Sequence, residues 1–169
     1  DTASRGRWTA LHAAAKGGHA HAVQLLLDSK APPDPRNEMD ATPLHWASRG
    51  GHIAVVQSLL LAGASPNTVA KEGSGSPLHW AIEFQQAEIV PMLLRFKAEV
   101  RQTLPSKHSW TPLHLAASVG RDSVVERRVT ARQKVTLALV QAGGLVGSSD
   151  DLGRTPLHIA ASAGFQAMT

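Results

Sequence analysis

Nine histidines are the residues of this 169-residue chain best equipped for chemistry, since an imidazole can ligate a metal, act as a general base or carry a proton near neutral pH. Each of those roles needs company. A zinc site needs ligands converging at a defined spacing, as in H-E-x-x-H, and the sequence holds no tight grouping of His with Asp or Glu. Cys is absent, which excludes thiolate metal sites, nucleophilic thiols and disulfides. GSGS at 73–76 lacks the Lys and the helix pattern of a phosphate loop, and no Ser stands in a nucleophile-elbow context. No catalytic residue, metal ligand or cofactor site is therefore assigned.

The histidines follow a rhythm instead. TALH at 9–12, TPLH at 42–45, SPLH at 76–79, TPLH at 111–114 and TPLH at 155–158 start 33, 34, 35 and 44 residues apart. Thr or Ser before Pro reads as a helix N-cap followed by the first helical position, where a missing N–H costs nothing. A short helix such as PLHWASRG (43–50) follows, and Gly18, Gly51, Gly120 and Gly164 end these helices. A second helix carries apolar residues at helical spacing, as in Val23, Leu26 and Leu27, or Val55, Val56, Leu59 and Leu60. Gly63 with Ala64, and Gly143 with Gly144, close it, and a polar stretch leads to the next tetrad. One such unit has too little core to stand alone, so stability must come from stacking neighbours.

A period near 33 with T-P-L-H-x-A resembles the ankyrin-repeat family over nearly the whole chain. The resemblance implies an all-α solenoid of stacked helix-turn-helix units with projecting hairpin loops, with units at about 7–39, 40–73, 74–108, 109–152 and a partial 153–169. It implies that His12, His45, His79, His114 and His158 are structural, bonding backbone groups of the neighbouring turn, and that His19 and His52 serve similarly. It also implies a concave partner-binding surface of hairpin tips and inner-helix ends. The candidates there are Trp8, Lys16, Met39, Arg49, Glu83, Phe84, His108, Trp110, Ser118, Leu152 and Arg154, with Glu38, Ala41, Glu72, Ser74, Asp151, Val119 and Ser162 on the same surface. Trp46 and Trp80 follow the tetrad His, where the family has Leu, and are expected in the core between units. Trp8 and Trp110 precede the tetrad Thr and are expected half-exposed, as partner anchors or packed on the next hairpin. Asn67, eight residues after Leu59, resembles the hairpin Asn that asparaginyl hydroxylases modify in this family, and is a modification candidate. Asp34, Glu38, Asp150 and Asp151 read as solvated turn residues.

Departures from the pattern carry expectations of their own. Lys30 and Lys97 stand where the closing Gly belongs, which predicts strained or reshaped turns. In the third unit Gln85 replaces the inter-helix Gly and Pro91 falls early in the second helix, predicting looseness over 84–91. In the fourth, 32 residues rather than 21 separate Thr111 from its closing Gly143, a surplus of 11 inside the helical part near 124–137. Eleven residues are about three helical turns, so a lengthened outer helix nearly preserves facing. A loop, or an error in the inferred sequence, are the alternatives. Stacking this stretch would bury Arg127, Arg128, Arg132 and Lys134 beside only Asp122 and Glu126, so it is expected to project into water.

Composition narrows the function. A hydrophobic share of 43% argues against disorder, and no apolar run approaches a membrane span. The reading is a protein-interaction module, a scaffold or adaptor that is not an enzyme and works as a monomer on another protein. Absence of Cys and of a signal peptide fits an intracellular, cytoplasmic or nuclear setting. The alternative is binding of nucleic acid or acidic lipid by Arg121, Arg127, Arg128, Arg132 and Lys134, with a net charge of +4 in its favour. Unit one lacks a polar outer cap and unit five stops inside its second helix, so further repeats are expected beyond both ends. Deleting residues 127–137 splices SVVE to ALVQAGG at the standard repeat length. Chemical unfolding of that deletion variant is expected to show an intact fold with stability changed by less than about 1 kcal/mol, since surface insertions are thermodynamically tolerated.

Overall fold

The structure is a computed structural model that describes residues 7–119 and 126–162, and of residues 72 and 126–130 the backbone alone. Gly120, Arg121, Gly164, the side chains of Glu72, Arg127 and Arg128, and the expected break within the last unit lie outside the described residues. The tetrads start the inner helices α1 (Ala10–Lys16), α3 (Pro43–Gly50), α5 (Pro77–Glu83), α7 (Pro112–Ser118) and α9 (Pro156–Ser162). Between them run the outer helices α2 (Ala20–Asp28), α4 (Ile53–Leu61), α6 (Ile89–Arg95) and α8 (Glu126–Gln141). Each inner helix packs on the next inner one and each outer helix on the next outer one. Two layers result, with no strand beyond two isolated bridges among the described residues. The continuous core lies between the layers. Leu44, Leu78, Val55, Leu59, Leu93 and Leu139 are fully buried there.

The tetrad histidines join unit to unit. Nδ1 of His45 lies 3.1 Å from the backbone N of Thr42 and 2.9 Å from its hydroxyl, while Nε2 lies 3.2 Å from the Gly75 carbonyl in the next hairpin. His12 reaches the Ala41 carbonyl at 3.0 Å, His79 that of Gln102 at 3.1 Å, and His114 that of Arg154 at 3.0 Å. A backbone N–H can only donate and a carbonyl can only accept. Nδ1 is therefore bare and Nε2 carries the hydrogen, a single neutral tautomer. Protonation would set an N–H against an N–H in a buried site. Burial accordingly pushes His45 down to about 3 and His79 down to about 4, and also lowers His12.

The turns between layers need left-handed backbone. Gly51 sits at φ 71°, and a Cβ there would strike the Gln86 side chain. Where Gly is missing the shape persists: Lys30 and Lys97 both lie at φ 64° and Gln85 at φ 58°. The irregularity expected over 84–91 is thus small. The Gln86 N–H reaches the Ala81 carbonyl at 2.8 Å, just as His52 N–H reaches Ala47 at 3.1 Å, and Gln86 Nε2 donates to the Arg49 carbonyl as His52 Nε2 pairs with that of Lys16. Pro91 lies in the first turn of α6, which needs no donor at that position.

Extra residues are placed where no bridge is disturbed. Gly63 to Ser76 is 13 residues and Lys97 to Thr111 is 14, against 12 from Lys30 to Thr42. The additions form 3-10 turns at Lys71–Gly73 and Pro105–Lys107. Much of the surplus in the fourth unit is helical: α8 runs for 16 residues against 9 in α4, and Val135 and Leu139 in its second half enter the core. Lys134 is exposed, as a projecting segment requires, but Arg132 is half-buried and donates to the Val119 carbonyl.

Two measurements check this account. Replacing Lys97 by Gly removes a left-handed penalty of about 1–2 kcal/mol while adding unfolded-state entropy, so a net gain of about 1 kcal/mol is expected in chemical unfolding. The histidine bridges set a pH dependence. The folded values of His45 and His79 lie below the ordinary 6.5, so the contribution of these two is complete above about pH 7 and is lost as pH falls from 6.5 toward 3–4. At pH 5 the loss should be on the order of 2 kcal/mol for each of His45 and His79, read as a falling Tm.

Candidate partner-binding face

The inner helices end on a face where aromatic rings and cations alternate. Trp46 follows the tetrad His on α3 and Trp80 does so on α5. Their rings meet edge-to-face at 5.3 Å, and Trp8 meets Trp46 at 4.9 Å. This row, with Ala41 and Ala70 of the hairpins, forms a cluster separate from the main core. Trp46 and Trp80 are buried, as expected, and Trp46 packs between the rings of the two neighbouring units at the inner face. Lys16 and Arg49 stand in the last turns of α1 and α3, where the helix dipole favours a cation. Lys16 lies over Trp8 at 5.6 Å and over Trp46 at 5.2 Å. Arg49 lies over Trp46 at 5.6 Å and over Phe84 at 4.4 Å.

A cleft of about 450 Å³ is lined by Lys16, Trp46, Arg49, Gly50 and Phe84. A neighbouring one of about 260 Å³ runs over Met39, Trp80, Glu83, Phe84 and Lys107, among others. Phe84 remains 41% exposed and Met39 47%. Glu83 and Lys107 form an ion pair at 2.5 Å. Lys16 and Arg49 pair with no carboxylate among the described residues.

The fourth and fifth units hold a different arrangement. The Trp110 indole N–H donates to Asp150 Oδ2 at 3.0 Å. The Arg154 guanidinium reaches the same oxygen at 2.8 Å and lies 5.8 Å from the Trp110 ring. Asp150 Oδ1 accepts from the backbone N–H of Leu152 at 3.0 Å and of Arg154 at 2.8 Å. Desolvation pushes this carboxyl up, but the donors around it outweigh that and hold it well below the usual carboxylate range. Asp150 is therefore a buried hairpin clamp and not a solvated turn residue. Asn37 does the same in the first hairpin, accepting from the N–H groups of Met39 and Ala41 at 3.0 Å each. Asp34 is also corrected: its carboxylate accepts from Ser65 N–H at 2.7 Å, and burial raises its carboxyl above the ordinary value.

The sequence profile of ankyrin repeats in three copies matches residues 1–70 and 59–127. The chain belongs to the ankyrin-repeat family. It is 31% identical to the probable 26S proteasome regulatory subunit p28 of Saccharomyces cerevisiae, over 52% of this chain and 50% of that protein. It is 30% identical to the glycerophosphocholine phosphodiesterase gde1 of Schizosaccharomyces pombe, over 93% of this chain and 13% of that protein. It is 34% identical to the ARF GTPase-activating protein Git of Drosophila melanogaster, over 45% of this chain and 10% of that protein. The chain thus spans half or less of the curated relatives it matches. Ankyrin repeats act in protein-protein interaction, and the chain is a binding module of that kind. No helix among the described residues is long and apolar enough to cross a membrane.

Ankyrin geometry gathers some of the expected residues and separates others. Lys16, Arg49 and Phe84 share one cleft, Met39 and Glu83 adjoin it, and Trp8 joins through Lys16. Trp110 and Arg154 are half-buried and committed to Asp150. Leu152, 59% exposed, and His108 stand at the hairpin tips, and the Ser118 hydroxyl donates to the Leu115 carbonyl within α7. Ala41 is buried instead of lying at a tip. Asn67 has both ends of its amide engaged, donating to the Lys97 carbonyl at 3.1 Å and accepting from Glu99 N–H at 2.9 Å. Trp46, Trp80 and Lys107 line the face without having been singled out for it. The signal was spacing: Trp46 stands three residues before Arg49 and Trp80 four before Phe84, one helix face in each case. Trp46→Ala should lower stability by about 3 kcal/mol, measured by chemical unfolding, because it opens a cavity in the Trp row.

Proposed function

We propose that this chain is a non-catalytic scaffold or adaptor that holds another protein on its inner face, centred on Lys16, Trp46, Arg49 and Phe84. The observation that carries this reading is a row of rings under the exposed cations Lys16 and Arg49, neither of which pairs with a carboxylate among the described residues. Rigid aromatic rings beside Arg are the residue types that concentrate binding energy at interfaces. The likeness to a proteasome regulatory subunit fits a module that works by contact, in the cytoplasm or nucleus. The alternative, nucleic acid or acidic lipid bound through the fourth unit, has less support. Arg132 is turned back to the Val119 carbonyl and Lys134 lies 3.8 Å from Glu88, so these two cations do not converge. Asn67 as a hydroxylation site would require its two amide contacts to open first.

Affinity capture from the native cell extract, with quantitative mass spectrometry, separates these readings. Proteins retained by the unmodified chain should be depleted about tenfold with Arg49→Glu and retained with Lys134→Glu, since a tenfold change corresponds to about 1.4 kcal/mol. The reverse pattern, with steep salt dependence, would favour the fourth-unit alternative.

A further inference from the structure

The indole N–H groups of three tryptophans contrast sharply in their partners. Trp80 Nε1 donates to the Ser74 carbonyl at 2.8 Å, and Trp110 Nε1 to the Asp150 carboxylate at 3.0 Å. Trp46 Nε1 is buried and has no acceptor among the described residues. A buried donor left unanswered costs free energy, which an incoming acceptor would recover. Trp46 lines the cleft beside Lys16 and Arg49, neither of which has a carboxylate partner among the described residues. The cleft is therefore lined by two charged donors and by the Trp46 ring, whose buried N–H is unanswered, and no acid of the described residues lines it.

The other end of the chain shows what completes such a set. Around Trp110, an indole N–H and a guanidinium 5.8 Å from the ring both hold one carboxylate, that of Asp150. Around Trp46, the ring and a guanidinium at 5.6 Å are present, and no described residue supplies the carboxylate. Building on the inner-face reading above, we propose that the partner supplies it: the occupant of the Lys16–Trp46–Arg49 cleft is an acidic peptide segment whose Asp or Glu carboxylate takes donors from Arg49, Lys16 and the Trp46 indole. Lys16 and Arg49 are exposed and lie over the ring, so their charged ends are open to an acid as it enters. The Phe84 ring beneath Arg49 gives the neighbouring apolar residue of the peptide a surface. The Glu83–Lys107 pair borders the cleft and sets an acid at its edge, which disfavours a second peptide carboxylate on that side.

The test selects peptides from a random phage-displayed library against the whole chain, then measures each selected peptide and its Asp→Asn, Glu→Gln counterpart by calorimetry. Acidic peptides should be enriched, their amide counterparts should bind at least about tenfold more weakly, and Trp46→Phe, which keeps a ring and loses the N–H, should weaken the acidic peptide by about tenfold. Lys16→Gln should weaken it likewise and guards against a Trp46→Phe variant of lowered Tm. In nitrogen-15 NMR, the indole signal missing from Trp46→Phe should move with the acidic peptide and stay with the amide. Neutral peptides that bind with Arg49 and Phe84 shifting, indifferent to amide replacement, would overturn the carboxylate while leaving the inner-face reading intact. Peptides untouched by Arg49→Glu, or no enriched peptide at all, would overturn both.

Discussion

A neutral imidazole held between a backbone N–H of its own unit and a carbonyl of the next is the bond on which this solenoid depends. Each end can be met by only one kind of atom. The Thr or Ser N–H at the helix start must donate into Nδ1, and the hairpin carbonyl one unit on must receive Nε2–H. Neither Asn nor Gln reproduces this, because each carries its donor and acceptor on one carbon, while the ring spaces them across a rigid body. The bond works only when the helix start, the ring and the next hairpin keep their distances. Register from unit to unit is therefore fixed by chemistry at the inner layer and by packing at the outer one.

This constraint explains where variation in length occurs. Added residues in the second and third hairpins form 3-10 turns away from the carbonyls that receive the histidines, which are those of Gly75 and Gln102. The larger surplus enters an outer helix, whose contact with the inner layer runs through Val135 and Leu139 near its end. An insertion in α3 or α5 would instead rotate the ring away from its carbonyl.

How much was legible follows from the same physics. The tetrads, the helix caps and the alternation of layers repeat with the period of one stacked unit, so the sequence displays them directly. Residue type at Lys30 and Lys97 pointed to strained or reshaped turns and at Gln85 to looseness, yet left-handed backbone persists at all three, because the neighbours over-determine the turn. Asp150 was not readable as a clamp. An acid in a hairpin looks solvated until Trp110, 40 residues earlier, is seen to aim its indole at it. The inner-face role of Trp46 and Trp80 was missed for a related reason. A large ring after the tetrad His signals burial, and only the placement of Arg49 and Phe84 on the same helix faces shows that one edge of that burial borders a cleft.

Stability and recognition meet at these rings. The row from Trp8 through Trp46 to Trp80 crosses three units and is supported from below by Ala41 and Ala70, the small residues of the hairpins. Larger residues at those alanines would push the rings outward, and smaller rings would let the hairpins close on the inner helices. The row is therefore rigid for the same reason that the hairpins are: each tetrad histidine holds the hairpin that carries the alanine, His12 directly through the Ala41 carbonyl. Cations stacked on such a row keep their charges at defined positions at little further cost in side-chain entropy, because the rings have already restricted them. A surface prepared in this way loses little freedom when a partner arrives, and that is the physical advantage of building a binding face on a stack of stitched repeats.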